Sequence, residues 1–264
     1  MSAPLSAGRL VRLDLGAHGP GVATITLDSP ANRNALSTRV RRELAECLDW
    51  AISDEAVRVI LLDHTGRVFC SGMDLKESRG AGADDQGVHE FPALLTSIWE
   101  SPKPVVAKLA GPARAGGVGL VAACDLAIAS RSVTFAFPEV RIGVVPAVIS
   151  VPVLRRVHPR AAQELFLTGE VFGAERAAAI GLITAAVADD DLDAEVRRYT
   201  DMLRLGAPAA LAGAKELLRR EPGGMAADFR EMTAIAARYF ASEDGQEGIR
   251  AFAEKRAPSW AVPR

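Results

Sequence analysis

Gly111-Pro112-Ala113-Arg114-Ala115-Gly116-Gly117-Val118-Gly119 is a turn made of small residues, and what flanks it decides the fold. The apolar run 105–109 before it reads as a buried strand, and 126–129 after it reads as another. The turn itself leads into a helix. Strand, turn, helix and strand in that order is the alternation of an α/β fold. Working upstream, 10–15 and 22–27 alternate at period two around a Gly-rich link, which predicts a hairpin with one buried face. Asn32-Arg33-Asn34-Ala35-Leu36-Ser37 is turn-rich and ends in a candidate N-cap. Val40, Leu44, Cys47, Leu48 and Ala51 then share one helix face. Residues 57–62 predict a buried strand, 66–76 a strand passing into a Gly turn, and 91–99 a helix that stops before Pro102. Downstream of Pro159 the pattern turns helical, at 161–167, 174–180, 191–204, 208–220, 226–241 and 244–255, with a last strand at 182–187. The expectation is an α/β core over 1–190 and a helical region over 191–264.

The bulk numbers narrow the function classes. The 264 residues suffice for a sizeable core, packed with aliphatic side chains because aromatics are only 5%. The 31 basic and 33 acidic residues leave a net charge of −2, which argues against nucleic acid or a membrane surface as partner. Cys47, Cys70 and Cys124 show no CxxC spacing and read as buried thiols of a reducing compartment. Residues 1–8 carry no apolar signal segment, and the longest apolar run, 144–154, is broken by Pro146 and Pro152. A cytoplasmic protein is expected. His18, His64, His89 and His158 are scattered, so no metal site is expected, and no G-x-S-x-G, P-loop or dinucleotide fingerprint is present.

Two turns carry the chemistry. Cys70-Ser71-Gly72-Met73-Asp74 ends one strand, and Gly72 permits an unusual backbone angle. The 111–119 turn ends another strand at a helix N-terminus, where small residues let a ligand approach the main chain. One N–H from each turn would form a two-donor oxyanion hole, worth about 3 kcal/mol per donor to a developing enolate.

With those turns and their neighbours in hand, the sequence resembles the enoyl-CoA hydratase/isomerase, or crotonase, superfamily over residues 10–257. The similarity rests on Asn32–Leu36, on Phe69–Lys76, on Ala110–Gly117 continuing to Cys124-Asp125, and on Phe137-Pro138-Glu139-Val140-Arg141-Ile142-Gly143. Leu167-Thr168-Gly169 and 178–182 follow in the same order. The resemblance implies a crotonase-like spiral of ββα units with a helical C-terminal extension, homotrimers or hexamers, and an acyl-CoA thioester as substrate. Coenzyme A then belongs to the substrate, and no separate cofactor is implied. The N–H donors implied are Met73 and Gly116, with Glu139 as the proton carrier. Gly72, Asp74, Leu75, Lys76, Gly117, Gly119, Arg114 and Lys255 are the implied substrate-binding positions. The segment 141–150 is similar to bacterial methylglutaconyl-CoA hydratase-like members.

Hydratases of this superfamily use two glutamates, and the first should stand twenty residues before Glu139. That position is Gly119. Hydration of a 2-enoyl thioester remains the first expectation. The alternatives are a double-bond isomerase working through Glu139 alone and an inactive acyl-CoA binder. Arg114 or Arg141 could meet a distal substrate carboxylate. Asp84, Asp85, His89, Glu90 or Ser150 could stand in for the missing acid.

Overall fold

The computed structural model describes residues 8–74, 77, 90–220 and 242–260. Strands β1 (Val11–Leu15) and β2 (Val22–Leu27) form the predicted antiparallel hairpin. Strands β3 (Val59–His64), β4 (Val105–Leu109), β6 (Leu126–Ser130) and β9 (Ala185–Val187) continue the sheet in the order β1-β2-β3-β4-β6-β9. From β2 onward every pairing is parallel. A small second sheet joins β5 (Ala113–Arg114), β7 (Thr134–Ala136) and β8 (Val171–Gly173).

Helices fill the gaps between these strands. They are α1 (Thr38–Ser53), α2 (Glu90–Glu100), α3 (Gly116–Ala123), α4 (Ala147–Val153), α5 (Pro159–Thr168) and α6 (Ala174–Ala179). The chain continues through α7 (Leu192–Arg204), α8 (Pro208–Arg219) and α9 (Glu243–Ala253). The mixed α/β fold expected from the sequence is therefore present. Ser37 caps α1 by accepting the Val40 N–H at 3.2 Å, and Val40, Leu44, Cys47, Leu48 and Ala51 are all buried. The predicted helix 226–241 lies outside the described residues.

Both faces of the main sheet are covered, which is why β3 is an unbroken apolar run rather than an alternating one. Ile60 and Leu62 face the large core beneath α1, α2 and α3. Val59 and Leu61 face a second cluster, where Leu192 and Val196 of α7 pack with Val22, Val106 and Ile128. α3 is buried along its whole length, and its glycines and alanines let strands pass close by. The three cysteines are free and buried. Among the described residues no helix is long and apolar enough to cross a membrane.

Candidate active site

The chain leaves the carboxyl ends of β3 and β4 in two turns that press against each other. Gly72 has φ +92°, and a Cβ there would stand 2.9 Å from Ala115 Cβ and 3.3 Å from Gly116 N. Gly117 closes the contact from the other side, since its Cβ would lie 2.5 Å from the Cys70 carbonyl oxygen. A side chain at either glycine would force the turns apart. Isolated parallel bridges, Cys70 beside Ala113 and Leu36 beside Met73, fix their register.

The Asn32–Leu36 signature supports the first turn from beneath. Buried Asn34 accepts the Ser29 N–H at 2.7 Å and donates to the carbonyls of Thr65 (3.0 Å) and Val68 (2.8 Å). The Arg33 carbonyl accepts Ser71 N–H at 3.1 Å, and the Gly72 carbonyl accepts Leu36 N–H at 2.8 Å. His64 closes the end of β3 by accepting the Ala110 N–H on Nε2 at 3.1 Å, and burial lowers its pKa. An acceptor role on Nε2 requires the neutral ring. His64 is thus a scaffold residue.

The second turn is stitched to β7, where Ala115 N–H donates to the Ala136 carbonyl at 3.1 Å. Ala115 holds φ 49°, ψ −120°, a left-handed backbone that costs a non-glycine residue on the order of 1–3 kcal/mol. The bend puts Gly116 N at the start of α3, where no intrahelical acceptor exists. Among the described residues none accepts the N–H of Met73 or of Gly116. Two neighbouring N–H groups without an internal partner can hold an oxygen on which negative charge develops.

Glu139 follows three residues after Ala136, in the short 3₁₀ turn Pro138–Ile142. Phe137 anchors that turn, its ring tilted against those of Phe166 and Phe172 at centroid distances of 4.7 Å and 5.9 Å. Glu139 is 9% exposed, and its Oε2 is fully buried with no hydrogen-bond partner. Burial raises the Glu139 pKa, with its own backbone N–H opposing the shift. Of the buried side-chain atoms left unpartnered among the described residues, this is the one carboxylate oxygen. A carboxyl group that is desolvated and unpaired is suited to taking and returning a proton near neutral pH.

The space beside Gly119 is occupied. A Cβ on Gly119 would stand 2.6 Å from Ile149 Cγ2 and 3.7 Å from Phe91 Cζ. Phe91 also reaches Gly116, whose Cβ would lie 3.4 Å from the same ring atom and 3.0 Å from Leu36 Cδ1. Leu36, Phe91 and Ile149 thus wall the site with hydrocarbon. Leu36 falls within the 32–36 signature and Ile149 within 141–150, but no feature of the sequence marks them or Phe91 as lining a site, because only packing brings the three together.

The remaining sequence candidates separate into groups. Arg114 sits at the second turn, but Nη1 donates to the carbonyls of Ala113 (2.9 Å) and Thr134 (2.6 Å) and Nη2 to Thr134 Oγ1 (2.8 Å). That engagement pins β5 to β7. Arg141 is exposed and donates from Nε to the Thr168 carbonyl at 3.0 Å. Asp74 is half-buried directly after Met73, and its carbonyl accepts the Glu77 N–H. Glu90 pairs with buried Arg41 at 3.2 Å, and Ser150 donates to the Ala147 carbonyl. Lys255 is exposed, two residues beyond α9. Its segment is tied by Trp260 to Arg58 and Leu205, at the amino end of the sheet and away from the two turns. Leu75, Lys76, Asp84, Asp85 and His89 lie outside the described residues. Among the described residues no group of three or more metal-ligating side chains occurs.

The chain is similar to known proteins of one family. The profile described as enoyl-CoA hydratase/isomerase matches residues 18–263. The rat mitochondrial enoyl-CoA hydratase domain-containing protein 3 is 33% identical over 244 residues, spanning 91% of this chain and 81% of that protein. A crystal structure of an enoyl-CoA hydratase from Mycobacterium avium is 43% identical, with TM-score 0.73, covering 97% of this chain and 100% of that one. The enoyl-CoA hydratase of Mycobacterium smegmatis superposes with TM-score 0.88 at 32% identity, covering 96% and 99%.

Proposed function

The chain belongs to the enoyl-CoA hydratase/isomerase family, and from that premise we propose that it moves a proton on an enoyl-CoA thioester with Glu139 as the acid/base. In this reading the Met73 and Gly116 N–H groups form an oxyanion hole for the thioester oxygen. Glu139 takes a C2 proton from a 3-enoyl thioester, and the electron pair moves toward the held oxygen. The same carboxyl returns the proton at C4, leaving a 2-enoyl thioester. Coenzyme A enters as part of the substrate.

The observation that carries isomerisation ahead of hydration is the hydrocarbon beside Gly119, where Ile149 Cγ2 stands 2.6 Å from the position a Cβ would take. Isomerisation needs one proton carrier. Hydration must also hold a water, adding its oxygen at C3 and a proton at C2, and a second polar group would serve it. The names of the relatives favour hydration as the second reading. A homotrimer or hexamer fits the family, and Lys255, remote from the turns of its own chain, would then serve a neighbouring subunit.

The deciding experiment supplies 2-enoyl and 3-enoyl thioesters in deuterated, ¹⁸O-labelled water. Conversion of the 3-enoyl to the 2-enoyl thioester without ¹⁸O supports isomerisation, whether or not deuterium enters at C2 or C4. Stoichiometric ¹⁸O at C3 supports hydration and overturns the first reading. Thioester binding with neither double-bond migration nor ¹⁸O incorporation across a broad panel would leave an inactive binder.

A further inference from the structure

We infer that Ile149, backed by Phe91, sets the choice between proton transfer and water addition by keeping water from the face of α3 that carries Gly116 and Gly119. The inference rests on the proton-transfer reading above. Gly119 lies three residues after Gly116 and therefore on the same face of α3. One ring atom, Phe91 Cζ, spans both positions, at 3.4 Å from the Gly116 Cβ site and 3.7 Å from the Gly119 one. Ile149 closes the remaining gap at 2.6 Å. Both side chains are 3% exposed.

A bound water needs two to four polar partners, and an apolar-lined space stays dry. Neither Ile149 nor Phe91 offers one. Ile149 is also coupled to the proton carrier. The chain between them is held by Val144 N–H donating to the Glu139 carbonyl at 3.1 Å, and α4 begins three residues later. The same short stretch therefore positions the carboxyl and the hydrocarbon that shields its partner face. In this arrangement an acid at 119 is excluded by packing as well as by sequence.

Three variants test the assignment through the ratio of ¹⁸O-labelled hydroxyacyl product to double-bond-shifted enoyl product. Ile149→Ala opens space beside Gly119, and Ile149→Thr keeps the branched shape while adding a hydroxyl that can hold water. Both should raise that ratio about tenfold or more, whereas Ile149→Val should leave it near the parent's. An unchanged ratio in Ile149→Ala or Ile149→Thr, with isomerisation still measurable, overturns the assignment. If the alanine variant does not fold, the ratio in the threonine variant decides alone. A parent protein that shifts no double bond would remove the proton-transfer reading and this inference together, a result distinct from an unchanged ratio. A separate check uses packing alone. Gly119→Ala should lower the melting temperature in the parent and be better tolerated beside Ile149→Ala. Equal effects in both backgrounds would show that Ile149 does not occupy that space.

Discussion

At the amino end of the main sheet, charged side chains stand just before the strands and bind the chain around them. Lys103 precedes β4 and donates to the carbonyls of Ala51 (2.8 Å) and Asp54 (2.6 Å). Asp125 precedes β6, accepts the Val105 N–H at 2.8 Å and pairs with buried Lys215 at 2.5 Å. Arg58 precedes β3 and donates to the carbonyls of Trp260 and Gly206. At the carboxyl end, the N–H groups of Met73 and Gly116 and the Glu139 Oε2 have no partner among the described residues. The first end uses its polar groups to hold strands together. The second leaves its polar groups open among hydrocarbon walls, at a cost in stability, and that is where a ligand can complete them. Clefts beyond the carboxyl ends of parallel strands are favoured ligand sites for this reason.

The sharpest way to break the contrast is Glu139→Gln. It should lower kcat by about 10²–10⁴-fold while leaving thioester affinity nearly intact. Steady-state kinetics with a binding titration check this, and full turnover would remove Glu139 from the mechanism. At the opposite end, Asp125→Ala strands Lys215, which is 6% exposed, as an unpaired buried charge. The expected loss is about 3–5 kcal/mol in denaturant unfolding, with kcat of the folded protein unchanged. A comparable loss of kcat would show that the two ends are not independent. Gly72→Ala should cost less stability than that, because it meets a left-handed φ and the Ala115 methyl but strands no charge. About 1–3 kcal/mol of stability and most of the activity should go together.

The smallest effect is the pH dependence of stability. The Glu139 pKa is raised in the folded protein by burial. The folded state thus binds this proton more tightly than the unfolded chain does. Glu139 therefore destabilises the fold above its raised value, and the penalty is relieved as pH falls from there toward the ordinary carboxylate value. Glu139→Gln should flatten that part of the stability profile. An identical slope in parent and variant would contradict the burial effect.

The sequence was legible wherever one element dictated its own pattern. The hairpin 11–27, α1 with its Ser37 cap, and the strands before each turn follow from periodicity and capping alone. The three short strands of the second sheet, at 113–114, 134–136 and 171–173, are too brief to show a period. α4 was hidden by Pro146 and Pro152, which read as interruptions, although Pro146 stands at its N-cap and Pro152 near its last turn. Of the site, the two glycine turns and Glu139 carry their own local signals. Leu36, Phe91 and Ile149 do not, since an aliphatic or aromatic residue on a buried face looks the same whether it lines a core or a site. Arg114 illustrates the converse. Its charge suggested a ligand contact, and only the structure reveals its commitment to β7.

The parallel register has a kinetic consequence. Ile60 pairs with Val105 and Val106 with Leu126, so the two glycine turns lie within crossovers that must form before these pairings close. Pairings of such large sequence separation form slowly. During refolding, helix signals should therefore recover before the two N–H groups meet, and enzymatic turnover would serve as a clock for the closing of these two pairings.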